Sequence, residues 1–408
     1  MSNNHGDIVI AAPAGYKWDE GTLKKITYVA EAGGVKYESL QKAIDAAKSK
    51  AVVTMLADTR ENVTISKALT LDLNGFTLNG STGERKAALK VDNATVTVMD
   101  SSANQTGTIK REDVEDPNVT GSNSYYVIDI QGGNGLLIFE GGNVTNTSGI
   151  VGVKGASLVR LGDDSVSARP TLTINGGTFT QDNFAAIKVD RGTLHFKGGT
   201  VNGNVASVNY DSAPGKQARI FITGGYVTGN YSGLAGGGIY AGFFGHNVGF
   251  TMSGGTIAGN CAEYGEGGGL RIAGGTNGVI QATNKVYITN NITNSNNDWG
   301  GGGIFVQEKG NLSIMNALIT GNTAGGFGGG VGACPTGETL IVNQDGAAIY
   351  GNTASGTNMS GGGNNKTYDS TLAQTSEVFT RNGYADYFCV RAKDGANGPI
   401  SLVTGLMA

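Results

Sequence analysis

The sequence predicts an all-β protein: a right-handed parallel β-helix of about ten coils, each with three short strands, entered through an N-terminal helical cap. Three observations carry that expectation. Glycine fills 69 of 408 positions, about 17% against a usual ~7%, while only 15% of residues are charged. The tetrapeptides VTGN, IAGN, ITNN, ITGN and IYGN end at Asn230, Asn260, Asn291, Asn322 and Asn352, at intervals of 30, 31, 31 and 30 residues. Each is followed, after a variable insert, by a glycine triplet: Gly236–Gly238, Gly267–Gly269, Gly301–Gly303, Gly328–Gly330 and Gly361–Gly363.

The elements follow in chain order. Residues 1–36 form a lead-in. In SLQKAIDAAKS, at about 39–49, Ser39 is a plausible N-cap, and Leu40, Ala43, Ile44 and Ala47 share one face. The β-helix is expected over 37–370. The Gly-Gly-ended strands RIFITGG and GFTMSGG lie ahead of tetrapeptides of the repeat, and the same unit occurs earlier in LLIFEGG, TLTINGG and TLHFKGG. Alternation points Leu172, Ile174, Ile220 and Ile222 into the tube. In the lower coils the first four triplets run directly into Ile239, Leu270, Ile304 and Val331, which are expected to point inward. One repeat therefore reads strand, Gly-Gly turn, strand, Asn turn, loop, and Gly-Gly-Gly strand. Glycine supplies corners with positive φ. The repeating Asn is expected in the left-handed region, its amide stacked on the next at about 4.8 Å per coil. Ten coils at that spacing make a rod of roughly 50 Å. Residues 371–408, rich in Phe, Tyr and Val, break the repeat and are expected to close the far end.

Composition removes several classes of function. Six prolines and the lack of a G-X-Y period argue against a linker or a collagen. No GxGxxG follows a strand. A net charge of −4, with scattered Lys and Arg, speaks against nucleic-acid binding. No apolar run is long enough to span a bilayer. The three cysteines show no metal spacing and are expected to be free thiols. The opening MSNNHGDIVIAAP contains no basic stretch ahead of an apolar run. A secreted or cell-surface location is expected from the character of the repeats.

Two resemblances add to this. Leu40-Gln41, Ala43 to Ala47, Val63-Thr64-Ile65 and Leu69-Thr70-Leu71 form an entry similar to that of pectin methylesterases and the wider pectate-lyase-like superfamily. That likeness covers about 50 residues and implies an architecture, not a chemistry. ITGNTAGGFGGGV and IAGNCAEYGEGGGL resemble the GGA(I/L/V) and FxxN repeats of polymorphic outer-membrane proteins and autotransporter-type adhesins, with Ile or Val in place of the phenylalanine. The second likeness implies a bacterial surface protein.

Candidate residues come from aligning the triplets. If Ile239, Leu270, Ile304 and Val331 point inward, Tyr240, Arg271, Phe305 and Gly332 form an outward row, extended by Asp129, Lys188 and Asn209. Aromatic faces stack on sugar rings, and an interleaved Arg binds carboxylates or hydroxyls, so the row predicts an oligosaccharide or glycan ligand. The plain alternative is a mixed solvent-facing strand surface. Glu263, Tyr264 and Trp299 lie in the loops before the triplets and join the proposed binding set. Glu266 and Asp298, on adjacent coils, are expected within roughly 5–10 Å, a range covering both glycosidase geometries. Lys188, Asp190, Arg191 and His195 offer a base and cations for an acidic sugar, or simply a solvated ion-pair network. No metal site or cofactor is predicted: His5, His195 and His246 lie too far apart, and Asp163-Asp164 is a poor calcium site. Three functions are left in contention, namely an adhesin-like glycan binder, a glycoside hydrolase or polysaccharide lyase, and a rigid stalk.

Overall fold

The computed structural model describes residues 11–80, 86–111, 126–146, 157–162, 169–181, 185–203, 205–207, 218–242, 248–295, 300–334, 337–342, 347–355, 385–389 and 400–403. The chain winds as a parallel β-helix. Each turn contributes one strand to each of three faces, in the order seen in the first coil: Ala51–Met55, Thr59–Arg60 and Val63–Ile65. Among the described residues the third face is a parallel sheet of eleven strands, from Val63–Ile65 to Tyr387–Cys389, in keeping with the expected stack of about ten coils. At about 4.8 Å per strand the stack is roughly 50 Å long. In the lower coils a fourth, five-stranded sheet of two-residue strands appears, from Tyr231–Ser232 to Thr353–Ala354. It follows directly after each repeating Asn, where the sequence reading had only a loop. Two strands of the segment 371–408, Tyr387–Cys389 and Ile400–Val403, pair in parallel on the stack.

The inward rows are apolar and dry. Leu172 pairs in register with Leu194, and Leu194 with Ile220 and then Phe250; all four are at most 1% exposed. Ile239, Leu270, Ile304 and Val331 form an equivalent row on the third face, each fully buried. Stacking like on like at coil spacing removes nearly the whole side chain from water, about 1.5–3 kcal/mol for each large aliphatic.

The repeating Asn side chains form a buried ladder. Asn230 Nδ2 donates to Asn260 Oδ1, Asn260 to Asn291 (2.8 Å), Asn291 to Asn322 (2.9 Å), and Asn322 to Asn352 (2.9 Å). Asp386 ends the ladder by accepting from Asn352 Nδ2 at 2.9 Å. The left-handed residue is not the ladder Asn, as expected, but the one before it: Gly229, Gly259, Asn290, Gly321 and Gly351 have φ between 56° and 68°. Displacing the turn by one residue frees each ladder Asn to keep its backbone N–H and its amide on the same neighbouring oxygen.

The glycine triplets are the counterpart of this ladder. A Cβ on Gly269 would lie 2.6 Å from the Gly303 carbonyl and 2.8 Å from Asn291 Nδ2. Gly238, Gly303 and Gly330 face Asn260, Asn322 and Asn352 in the same way. Any side chain there would push the coils apart.

Two further elements lie at the other end of the stack. The antiparallel pair Ala30–Ala32 and Val35–Tyr37 lies against the edge of Ala51–Met55. The expected helix of about 39–49 is shorter, Leu40–Ala46, and shares this end with the hairpin. Gln41 exchanges two hydrogen bonds with the Thr64 backbone, seating the helix over the first strand of the third face. Ser39 Oγ caps the Lys42 N–H. Glu61, 20 or more residues downstream, completes the cap by accepting from Ser39 Oγ and the Leu40 and Gln41 N–H groups. Burial pushes the Glu61 carboxyl up, but hydrogen bonds from Ser39, Thr59, Leu40 and Gln41 outweigh it and hold the group below its usual range. No helix among the described residues is long and apolar enough to cross a membrane.

Candidate functional site

The outward row of the third face exists. Strand register places Lys90, Asp129, Arg160, Lys188, Ala206, Tyr240, Arg271, Phe305, Gly332 and Phe388 on successive rungs. Ala206 occupies the rung expected for Asn209, which lies outside the described residues, as do Asp298 and Trp299. The proposed pairing of Glu266 with Asp298, and any contact of Trp299, therefore has no geometry here.

The row is not the open shelf that alternation predicts. Phe305 is 1% exposed and Phe388 is fully buried, the latter stacked on Phe327 with ring centroids 4.6 Å apart. The cause lies in the triplets. The first glycine of each described triplet, Gly236, Gly267, Gly301 and Gly328, has φ between 64° and 76° and turns the backbone back over its own strand. A Cβ on Gly236 would therefore meet Tyr240, one on Gly267 would meet Arg271, and one on Gly301 would lie 2.7 Å from Phe305 Cβ. A buried Phe305 offers no ring face to a sugar, so its assignment as a stacking residue is corrected.

Tyr240, Arg271 and Glu266 do come together. The Arg271 guanidinium lies 4.9 Å from the centre of the Tyr240 ring, donates to the Tyr240 hydroxyl, and sits 3.7 Å from Glu266 Oε2. The Arg271 and Glu266 side chains are only 11% and 19% exposed. Cys334 belongs to the same cluster: burial pushes its thiol up to about 12, the Glu308 backbone, Glu266, Glu308 and Arg271 contributing smaller effects. Sequence reading missed Cys334 and Glu308 because their proximity depends on which coil follows which. The cluster is a cross-coil brace in which Arg271 engages both neighbouring groups.

The residues Lys188, Asp190, Arg191 and His195 divide between faces. Lys188 Nζ and Arg160 Nε each lie 3.1 Å from Asp190 Oδ2, and Asp190 is fully buried. This network is interior, in contrast to the solvated arrangement expected. Burial raises the Asp190 carboxyl above its usual value, with Lys188 and Arg160 opposing. Arg160 also lies 5.2 Å over the Tyr126 ring. His195 is on the first face, stacked on Phe221 at 5.0 Å, and burial followed by Lys197 lowers its pKa. It lies on a different face from the strand that leads into Asp190. Among the described residues, no group of three His, Cys, Asp or Glu is arranged to hold a metal ion.

Exposed aromatic surface occurs instead along the fourth sheet. Tyr264 is 74% exposed, Leu234 77% and Tyr231 58%. Leu234 and Tyr264 occupy equivalent places, each four residues past a ladder Asn, and the chain stacks there closely enough that a Cβ on Gly265 would lie 2.8 Å from Leu234 O. Tyr231 starts a row continued by Cys261 and Ile292, the latter 41% exposed. Glu263 Oε2 accepts from Asn294 Nδ2 at 2.7 Å. Desolvation, and then the nearby Glu263 and Tyr264, hold the Tyr231 phenol above its usual pKa. Of the sequence candidates, Glu263 and Tyr264 thus belong to an open edge, whereas Tyr240, Arg271 and Glu266 form a half-buried brace and Phe305 is buried. Tyr231 and Leu234 were missed, although their fixed offsets from Asn230 are a readable signal. No family model, curated protein or solved structure matches the chain, and its assignment as a parallel β-helix rests on its own strand register.

Proposed function

We propose that this protein is an extracellular, adhesin-like β-helix that binds glycans without turning them over, through the edge formed by Tyr231, Leu234, Glu263 and Tyr264. The observation that carries the reading is the exposure of two tyrosines and a leucine on adjacent coils, beside a carboxylate and an amide. Large apolar groups clustered in water mark an interaction surface. Tyrosine serves it well, because its ring covers an apolar sugar face while its hydroxyl keeps a hydrogen bond. Coil-to-coil stacking fixes the backbone beneath these side chains, so little ordering entropy is lost on binding. Glu266, the one described member of the catalytic pair considered, is occupied by Arg271, which favours binding over hydrolysis.

A glycan array probed with the full chain and with a Tyr231→Ala, Tyr264→Ala double variant tests the reading. Signal on a subset of glycans that falls at least about tenfold in the variant supports it. Silence across the array, or signal unchanged in the variant, removes this edge as a glycan site. Product release from those glycans would replace binding with catalysis.

A further inference from the structure

The second face carries a cleft near its N-terminal end that none of the preceding sites uses. It has a volume of about 270 Å³ and is lined by Asp58, Thr59, Arg60, Thr77, Asn79 and Lys110. Arg60, Asn79 and Lys110 stand on successive rungs of one outward row, so two cations flank an amide from the coils above and below it. Asp58 stands at the rim, one of its oxygens taking the Thr77 N–H at 2.8 Å. Beyond Lys110 the same row continues through Thr145, Thr180 and Asn202, all uncharged hydrogen-bonding groups.

We infer that this cleft is a binding site for a sugar residue bearing an oxyanion, a carboxylate or a sulfate ester, at one end of an oligosaccharide. The chemistry of the lining selects that class. Arg60 and Lys110 supply charge-assisted donors to an oxyanion. Asp58 repels a bare anion but accepts from a hydroxyl, so the ligand must present both groups. A sugar acid or sugar sulfate does so on adjacent atoms. The neutral row beyond gives the rest of the chain a path along the sheet. The inference rests on the glycan-binding reading but uses a different face, with no residue in common with the tyrosine edge.

The test is titration calorimetry of the full chain with three probes: a hyaluronan hexasaccharide (carboxylate), a carrageenan hexasaccharide (sulfate) and cellohexaose (neutral). At least one anionic probe is expected to bind about tenfold or more tighter than cellohexaose. That preference should vanish in Arg60→Ala, Lys110→Ala and weaken with salt. It should survive in Tyr231→Ala, Tyr264→Ala. Arg60 is exposed, and an unchanged circular dichroism melt will verify that the charge variant is folded. Whichever anionic probe binds identifies the oxyanion. Equal affinity for anionic and neutral probes, retention in the Arg60/Lys110 variant, or full competition by equimolar inorganic sulfate would overturn the inference. If cellohexaose or array glycans bind through the tyrosines while neither anionic probe binds the cleft, the inference fails and the glycan reading stands. If nothing binds at either place, both fail.

Discussion

Replacing Asn291 with Ala should unlatch the coil stack at its middle. Asn291 is fully buried, and its Oδ1 accepts both the Asn260 N–H (3.1 Å) and Asn260 Nδ2 (2.8 Å). Its own Nδ2 donates to Ile257 O and Asn322 Oδ1. Truncation strands two donors on Asn260, itself only 1% exposed, where water cannot replace the lost acceptor. Each stranded donor costs about 1–3 kcal/mol, so the variant should lose about 2–6 kcal/mol. Asn322 Oδ1 loses one donor but retains the Asn291 N–H, which keeps the damage local. Urea unfolding followed by circular dichroism measures the total. Because long repeat arrays do not always unfold in one step, amide exchange should accompany it. Protection should fall first at Cys261 and Ile292, whose N–H groups bond Asn230 O and Asn260 O. The exposed Asn277 is the control, and its replacement by Ala should stay within about 0.5 kcal/mol. A loss at Asn291 below about 1 kcal/mol, or equal to that at Asn277, would refute the ladder as a source of stability.

The remaining predictions concern the triplets, the cap and the thiols. Gly269→Ala should cost about 1–3 kcal/mol in the same unfolding assay, because its Cβ has no room against Gly303 O and Asn291 Nδ2; a neutral result would mean that the coils separate freely. Glu61→Gln should cost about 1 kcal/mol near neutral pH by weakening the helix cap. Since Glu61 is held below its ordinary value when folded, its contribution is fully present above the unfolded pKa of about 4.3 and is lost as pH falls through the lower folded value. The gap between wild type and variant in urea midpoint should therefore close below about pH 4, and a gap constant from pH 3 to 7 would contradict the assignment. Both described thiols are partly exposed, so the difference in native protein at pH 8 should be one of rate: iodoacetamide should modify Cys334, whose thiol is raised to about 12, more slowly than Cys261; peptide mass spectrometry reads both, and faster labelling of Cys334 would contradict the assignment.

What could be read in advance follows from how local each signal is. The inward positions of Leu172, Ile220 and Leu270 rest on period-two alternation within one strand. The Asn ladder rests on a fixed interval between like residues, because in a coil stack equal spacing becomes vertical contact. Alternation, however, states which face a side chain takes and not what covers that face. Phe305 points outward as expected, yet Gly301 folds the backbone over it. Lys188 and Asp190, expected in a solvated ion-pair network or as a base with its cation, are buried. Gly229, not Asn230, takes the left-handed turn because the ladder amide must remain aligned with its own backbone N–H. Glu61 caps a helix 15 or more residues before it, a partnership that only the closed first coil creates. Tyr231 and Leu234 were within reach of the sequence: their offsets from Asn230 match those of Cys261 and Tyr264 from Asn260.

The central claim is that the open tyrosine edge, not the half-buried Tyr240–Arg271–Glu266 brace, meets a glycan. The most direct measurement is the affinity of the strongest array glycan for three forms: wild type, Tyr231→Ala with Tyr264→Ala, and Tyr240→Phe. Loss of at least about tenfold in the edge variant, with Tyr240→Phe binding like wild type, is the predicted result. Loss confined to Tyr240→Phe would place the ligand on the third-face row and contradict the account.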